Sequence, residues 1–307
     1  MISYKNKIYY LIKPFIPRWF QIFLRRRLVR QKMSRYREVW PIDAKSNKRP
    51  ERWSGWPDQK RFALILTHDV ETEKGLNKCY DLIQLEKRLG FISSFNFVAE
   101  DYRIPSEFRQ HLLDNGFEIG VHGLSHDGKL YLSRKTFERQ AARINQYLTE
   151  WKSAGFRSPS MHHNLEWIRD LNIEYDASTF DTDPFEPKSQ GMGTIYPFVV
   201  SNNTSAKRYV ELPYTLPQDF TLYVLFKERS IDIWKKKLDW IAENGGMALM
   251  IVHPDYMSFN GAKPGNDEYP AEFYEEFLNY TKSKYQGQYW NVLPKEIARF
   301  WFREYSR

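Results

Sequence analysis

The run Phe62-Ala63-Leu64-Ile65-Leu66-Thr67-His68-Asp69-Val70-Glu71 decides how the rest of the chain is read. Its first half is short and continuously apolar, the pattern of a strand buried on both faces, and its second half places a histidine and two acids where that strand ends. Directly behind it, Lys74 to Leu89 carries Leu82, Leu85 and Leu89 at helical spacing before Gly90 stops the segment. The strand-then-helix unit recurs. Ser93 to Val98 precedes a helix to about Leu113, and Phe117 to Val121 precedes one over Thr136 to Trp151. Gly155 to Ser158, Ile173 to Ser178 and Tyr209 to Leu212 continue the series. A helix over Ile231 to Glu243, a strand Met247 to Val252, a helix over Ala271 to Tyr280, a strand Trp290 to Val292 and a closing helix from Pro294 complete it. Repeated units with continuously apolar strands predict an α/β protein whose seven or eight parallel strands close into a (β/α) barrel.

A length of 307 residues suits one such barrel with a short extension, and 42% hydrophobic with 27% charged residues exclude a mostly disordered chain. No uncharged apolar run approaches the roughly 18 to 20 residues of a spanning helix. The single cysteine, Cys79, excludes an intramolecular disulfide or a thiolate metal cluster, and with no cleavable signal in view a cytoplasmic protein is expected. The net charge of +8 is unevenly placed. Residues 1–40 hold eleven Lys or Arg against one acid, Glu38, a net of about +10 that leaves about −2 for the remainder, so no nucleic-acid partner is expected. Residues 1–58 therefore read as a basic, aromatic extension and 59–307 as the barrel. Tyr9, Tyr10, Phe15, Trp19, Phe20 and Phe23 beside Arg25, Arg26, Arg27 and Arg30 suit an anionic membrane surface, which would hold the protein peripherally on the inner face. The alternative is an arm packed on the barrel, because Arg26 and Arg30 project onto the same helical face as Phe23 and Trp19.

The reactive side chains gather where strands are expected to end: Thr67-His68-Asp69-Val70-Glu71, His122-Gly123-Leu124-Ser125-His126, Arg157-Ser158-Pro159, Asp176-Ala177-Ser178 and His253-Pro254-Asp255-Tyr256. In a parallel barrel those ends converge on one face. His122 and His126, four apart, can bring both imidazoles to one point, where an oxygen ligand would complete an open site for zinc or a similar divalent ion. Asp69 and Glu71, two apart, point to one side of an extended backbone, so one can bind the metal and the other take a proton from water. His253 can protonate a leaving group, and Arg157 can hold a carboxylate ionised. Aromatic side chains near these ends, Phe180 and Tyr256 among them, can stack on the apolar faces of sugar rings.

Taken in order, the five motifs resemble those of the polysaccharide deacetylases (carbohydrate esterase family four) over about Arg61 to Val292. The resemblance implies a distorted (β/α) barrel that removes acetyl groups from N-acetylated amino sugars with one divalent metal, zinc first, with cobalt, manganese or nickel as alternatives. The family's opening motif is usually Thr-Phe-Asp-Asp. Thr67-His68-Asp69 matches its start, and Asp69-Val70-Glu71 resembles an Asp-Val-Asp form found in some relatives, one methylene longer at its last acid. Carried over, Asp69 becomes the general base, and Glu71, His122 and His126 the metal ligands. Gly123 stands where the family has a hydroxyl residue. Arg157 and Pro159 would orient the base and shape the acetate pocket, His253 would be the general acid, and Asp176 would support it, with Asp181 and Asp183 as rivals. A backbone N–H near Ser160 would meet the oxyanion, and Ser160, Tyr256 and Phe180 would touch substrate. His162 and His163 match no motif, and His68 and His111 read as structural. Two further readings are a hydrolase of small, including cyclic, amides on the same fold and a non-catalytic saccharide-binding protein on a degenerate deacetylase scaffold.

Overall fold

The computed structural model describes residues 16–186, 190–202 and 205–305; Tyr9, Tyr10 and Phe15 of the basic extension lie outside them. Strand β1 (Phe62–Val70) is buried at all nine positions because it has neighbours along both edges. On one edge, residues Ala63 to His68 pair with Met247 to Val252. On the other, Phe62 to Leu64 pair with Tyr289 to Asn291, and Thr67 to Val70 pair with Ser94 to Phe97. Asn291 bridges the gap on that shared edge, accepting from the Ile92 amide at 2.9 Å and donating to the Ile92 carbonyl at 3.2 Å.

In chain order the elements are α1 (Arg18–Tyr36), β1, α2 (Glu73–Leu89), β2 (Ser94–Phe97), α3 (Ser106–Asp114), β3 (Glu118–Val121), α4 (Arg134–Glu150), β4 (Gly155–Phe156), the one-turn α5 (Leu165–Ile168) and β5 (Tyr175–Asp176). Then follow β6 (Phe198–Asn202), β7 (Ser205–Glu211), α6 (Asp232–Asn244), β8 (Met247–Val252), β9 (Met257–Ser258), β10 (Tyr269–Pro270), α7 (Glu272–Lys284), β11 (Tyr289–Asn291) and α8 (Pro294–Tyr305). β9 and β10 form a small separate pair. The main sheet runs β8-β1-β2-β3-β4-β5-β7-β6, with β11 beside β2 on β1; eight strands are parallel, and β6 alone is antiparallel, to β7.

The sheet curls into an incomplete barrel, the distorted barrel that the sequence led us to expect. At the seam between β7 and β8, Thr215 does much of what a ladder would do. Its amide and that of Leu216 donate to the Leu249 carbonyl at 3.0 and 3.1 Å, and its hydroxyl donates to the Met247 carbonyl at 2.8 Å while accepting from the Leu249 amide at 3.0 Å. The helices begin and end where their residues dictate: α2 stops at Gly90, whose φ of +80° suits glycine, and Ser133 caps α4 by accepting from the Thr136 amide. No periodicity in the sequence predicts the π-helix at Phe220–Phe226, whose Val224 carbonyl accepts from Arg26 of α1.

α1 packs on the body along one of its faces. Ile22 and Val29 are buried, Arg26 Nε donates to the Val224 carbonyl in the π-helix at 2.9 Å, and Lys32 Nζ donates to the Pro184 carbonyl at 3.0 Å. Trp40 sits edge-on to Phe185 and Phe226. Among the described residues no helix is long and apolar enough to cross a membrane.

Candidate active site

β1 places the first two acids. Its alternation puts Val70 in the core and turns Asp69 and Glu71 to the opposite side, toward the end of β3. Glu71 stands between strand and helix, where the buried carboxylate of Asp255 accepts from the Glu71 amide at 3.0 Å and from the Thr72 hydroxyl at 2.5 Å, fixing the start of α2. From the end of β3, His122 and His126 complete a group in which one ligand atom each of Glu71, His122 and His126 lies within 4.8 Å of the others. His126 Nε2 is 3.2 Å from Glu71 Oε1.

These residues fit a divalent ion. Two imidazole nitrogens and one carboxylate oxygen are a three-ligand set that leaves positions open, as zinc-type hydrolytic sites do. The outer partners are also in place: His122 Nδ1–H donates to the Arg157 carbonyl at 3.1 Å, which turns the Nε2 lone pair into the site, and Glu71 Oε2 accepts from the Tyr256 hydroxyl at 2.8 Å. Arg18 of α1 in turn donates to the Tyr256 oxygen at 3.0 Å, so the extension reaches the ligand group through one side chain.

Two titratable groups flank the ligands. Asp69 is fully buried, its Oδ1 accepting from Asn96 Nδ2 and Arg157 Nη1, both at 2.9 Å, with Oδ2 3.9 Å from His122 Nε2. Burial alone would raise its pKa, but Arg157, His122 and His253 outweigh burial and hold the carboxyl well below the usual range. Glu71 behaves alike: burial opposes ionisation, yet His126, His253 and the Tyr256 hydrogen bond bring it down to about 2. For His122 burial wins, taking the imidazole to about 4, so it is neutral and able to ligate.

His253, at the end of β8, is the opposite case. Its Nδ1–H donates to Asp219 Oδ1 and its amide donates to Asp219 Oδ2, both at 2.7 Å, leaving Nε2 facing the site 3.9 Å from Glu71 Oε1. Burial disfavours its charge, but Asp219 first, then Glu71 and Asp69, raise it to about 10, so it stays protonated across neutral pH. Opposite the ligands runs a cavity of about 460 Å³, one wall of which is α1. Ser160 lines it from a turn held at a φ of +56°, and Glu186 lines it beside Gln218, its carboxyl pushed up to about 8 by burial and by Asp183.

No family model and no curated protein matches the sequence. Solved structures do match. A protein assigned as a polysaccharide deacetylase from Mycobacterium smegmatis superposes with a TM-score of 0.62 at 19% identity, covering 81% of this chain and 93% of its own. A second, from Pseudomonas aeruginosa PAO1, gives 0.64 at 18% identity over 82% and 94% of the two chains. The chain has the polysaccharide deacetylase fold. PuuE allantoinase shares that fold too, with a TM-score of 0.66 at 16% identity over 87% of this chain and 99% of that one.

Within the deacetylase fold most of the expected residues meet: Asp69, Glu71, His122, His126, Ser160, His253 and Tyr256 all border one cavity, and Arg157 braces Asp69 from behind. Two do not. Asp176 is fully buried and turned away, accepting from the Ser178 hydroxyl at 2.7 Å and facing the equally buried Glu211; the partner of His253 is Asp219. The rivals are occupied as well, Asp181 by Lys237 at 2.5 Å and Asp183 by the Tyr214 hydroxyl at 2.9 Å. Phe180, expected to touch substrate, is in the core, where an isolated main-chain bridge to Tyr214 holds the two rings side by side. Tyr256 does line the cavity, but its hydroxyl serves Glu71. Gly123, where the family has a hydroxyl residue, has a φ of +75°, and a Cβ there would lie 2.7 Å from Pro159 Cγ. His68 is structural, bonded to buried Glu86 at 2.8 Å.

Proposed function

We propose that the protein is a metal-dependent hydrolase that removes acetyl groups from N-acetylated amino sugars of a polysaccharide or its precursor, with residues 59–307 as the catalytic unit and 1–58 as its extension. One observation carries this reading: a three-ligand group with an ionised carboxylate on one side and a protonated histidine on the other, all facing one cavity. Glu71, His122 and His126 would hold the ion, zinc first, with cobalt, manganese or nickel as alternatives; it would supply Lewis-acid polarisation of the acetyl carbonyl and of water. Asp69, kept ionised by Arg157 and Asn96, takes the proton from the attacking water through Oδ2. The backbone N–H at Ser160 receives the carbonyl oxygen as it gains charge. His253 gives its Nε2 proton to the nitrogen as the C–N bond breaks, releasing acetate and the free amino sugar, while Asp219 balances the imidazolium before transfer. The same reading places the protein in the cytoplasm, peripheral on the inner face of the membrane, with residues 1–40 toward an anionic surface.

The test is acetate release from N-acetylated oligosaccharides with and without chelator, run beside a panel of cyclic amides. Turnover of the sugars that chelator abolishes and zinc restores is expected. Activity insensitive to chelator removes the metal from the mechanism, and turnover of the cyclic amides alone replaces the substrate class. Protein that takes up no ion after zinc loading is a binding protein on this scaffold.

A further inference from the structure

α1 has two faces with different duties. Arg18, Gln21, Ile22, Arg25, Val29 and Lys32, spaced three or four apart, form one wall of the cavity whose far side carries the ligand group. The opposite face carries Trp19, Phe20 and Phe23, with Trp19 67% exposed, and Leu24 and Leu28, the latter 58% exposed, lie on the flank between that face and the cavity. Among the described residues the other large apolar side chains left exposed are only Val39 and Tyr80, so the exposed apolar surface is concentrated on this one helix. Apolar surface gathered in this way marks an interaction site. Arg27 and Arg30 share the outward face, and α1 has no acid along its length, which gives that face the charge that complements an anionic lipid headgroup layer.

The two faces are joined. Leu24 and Leu28 are exposed and also line the cavity, so an apolar rim runs from the outer surface into the site. The α1 wall is also cationic: the Arg25 guanidinium lies 4.7 Å over the Phe220 ring and Lys32 donates to the Pro184 carbonyl. The opposite end holds the anionic and imidazole side chains of the ligand group. Apolar rim, cationic wall and metal-ligand group thus offer one cavity contacts for hydrocarbon, phosphate and sugar, with the Glu186 carboxyl on the same lining as Arg25.

We infer that α1 docks on an anionic lipid surface and admits from it an acetylated sugar joined through a phosphate to a lipid chain. The substrate half of this inference rests on the deacetylase reading; the docking half does not. The test uses the full chain with phosphatidylcholine vesicles with and without phosphatidylglycerol, and a triple variant, Trp19→Ser, Phe20→Ser and Phe23→Ser, whose side chains lie outside the cavity. The wild-type protein should sediment with the anionic vesicles at low salt, the variant roughly tenfold or more weakly, while both turn over a water-soluble N-acetylated oligosaccharide equally. An N-acetylated sugar phosphate on a long alkyl chain in those vesicles should be deacetylated with a kcat/KM at least roughly tenfold above the chainless sugar phosphate, and Arg25→Gln should weaken binding of both phosphates but not of the neutral oligosaccharide. Vesicle binding that ignores phosphatidylglycerol, or a wild-type dimer that the triple variant turns into a monomer, would overturn docking and make the face a self-interface. Equal turnover with and without the alkyl chain would overturn the lipid-borne substrate while leaving the deacetylase standing. Turnover of no acetylated sugar at all would remove both the deacetylase and the substrate half, with the vesicle measurement still deciding the docking half.

Discussion

The Asp219→Asn variant probes the acid half of the site. In the wild type His253 keeps its proton up to a pH of about 10 instead of the ordinary 6.5, although burial works against it, and Asp219 is the foremost of the groups that hold it there. Asparagine removes the charge yet can still accept one hydrogen bond, so the imidazole should fall back toward its ordinary value. An acid with a pKa near 6.5 is protonated in only about one molecule in thirty at pH 8, so kcat/KM should drop roughly thirtyfold at pH 8 and less than twofold at pH 6, with the alkaline limb moving from near 10 toward neutrality. Stability follows the same sign. A raised pKa stabilises the folded state fully below the unfolded value of 6.5 and loses that contribution as pH climbs through 10, so the gap between wild type and variant is widest in acid and closes in alkali. Asp219 also accepts from the Tyr269 hydroxyl at 3.0 Å and from the Phe220 amide, and losing one such acceptor costs about 1 to 3 kcal/mol. The assay is a pH–rate profile of acetate release beside a thermal melt at each pH. A folded variant whose alkaline limb stays where it was would refute His253 as the acid tuned by Asp219.

Three further substitutions test the supporting geometry. Tyr256→Phe deletes the hydroxyl that donates to Glu71 Oε2 and should weaken zinc affinity roughly 10- to 100-fold in competition with a chromophoric chelator; unchanged affinity would remove Glu71 from the ligand set. Gly75→Ala gains up to about 1 kcal/mol of helix propensity, but its Cβ would lie 2.2 Å from Asp255 Oδ2, in the carboxylate that fixes the Glu71 amide. The overlap should win at about 1 to 3 kcal/mol, read as a lower denaturant midpoint at constant m. Gly123→Ser restores the residue type usual in the family and should nevertheless destabilise by about 1 to 3 kcal/mol and depress turnover, because of the +75° φ and the approach of Pro159; a stable, fully active variant would show that the Pro159 turn yields.

The order of strands and helices was legible because each buried strand is a short apolar run and each helix repeats its apolar side chains at helical spacing, as in Met247–Val252 and in α2. The clustering of Glu71, His122 and His126 was legible for a related reason: acids and histidines that recur at strand ends converge on one face of a parallel barrel. Asp219 was not legible. It lies in Leu216-Pro217-Gln218-Asp219-Phe220, where no spacing ties it to His253, and it reaches that histidine from the N-cap of the π-helix, where it accepts from the Phe220 amide and from the His253 amide and ring. Asp176 misled for the converse reason: a strand end fixes where a residue sits but not which way its side chain turns, and Ser178 and Glu211 draw this carboxyl inward. α1 reads as a muddled projection until its two faces are separated, since arginines occupy both.

The position of β1 bears on how the chain must be assembled. Among the described strands it is made first, yet its edges are completed by β8 and β11, whose residues follow 184 and 227 positions later in the register Ala63 to Met247 and Phe62 to Tyr289. On a ribosome, Phe62 to Leu66 therefore emerge long before the segments that cover them, with unpaired backbone groups along an apolar edge, the arrangement that invites non-native strand pairing. Sequence-distant pairing of this kind also slows folding. Holdase chaperones should thus cross-link to the nascent chain at this strand, and the attachment should persist until translation has passed Asn291.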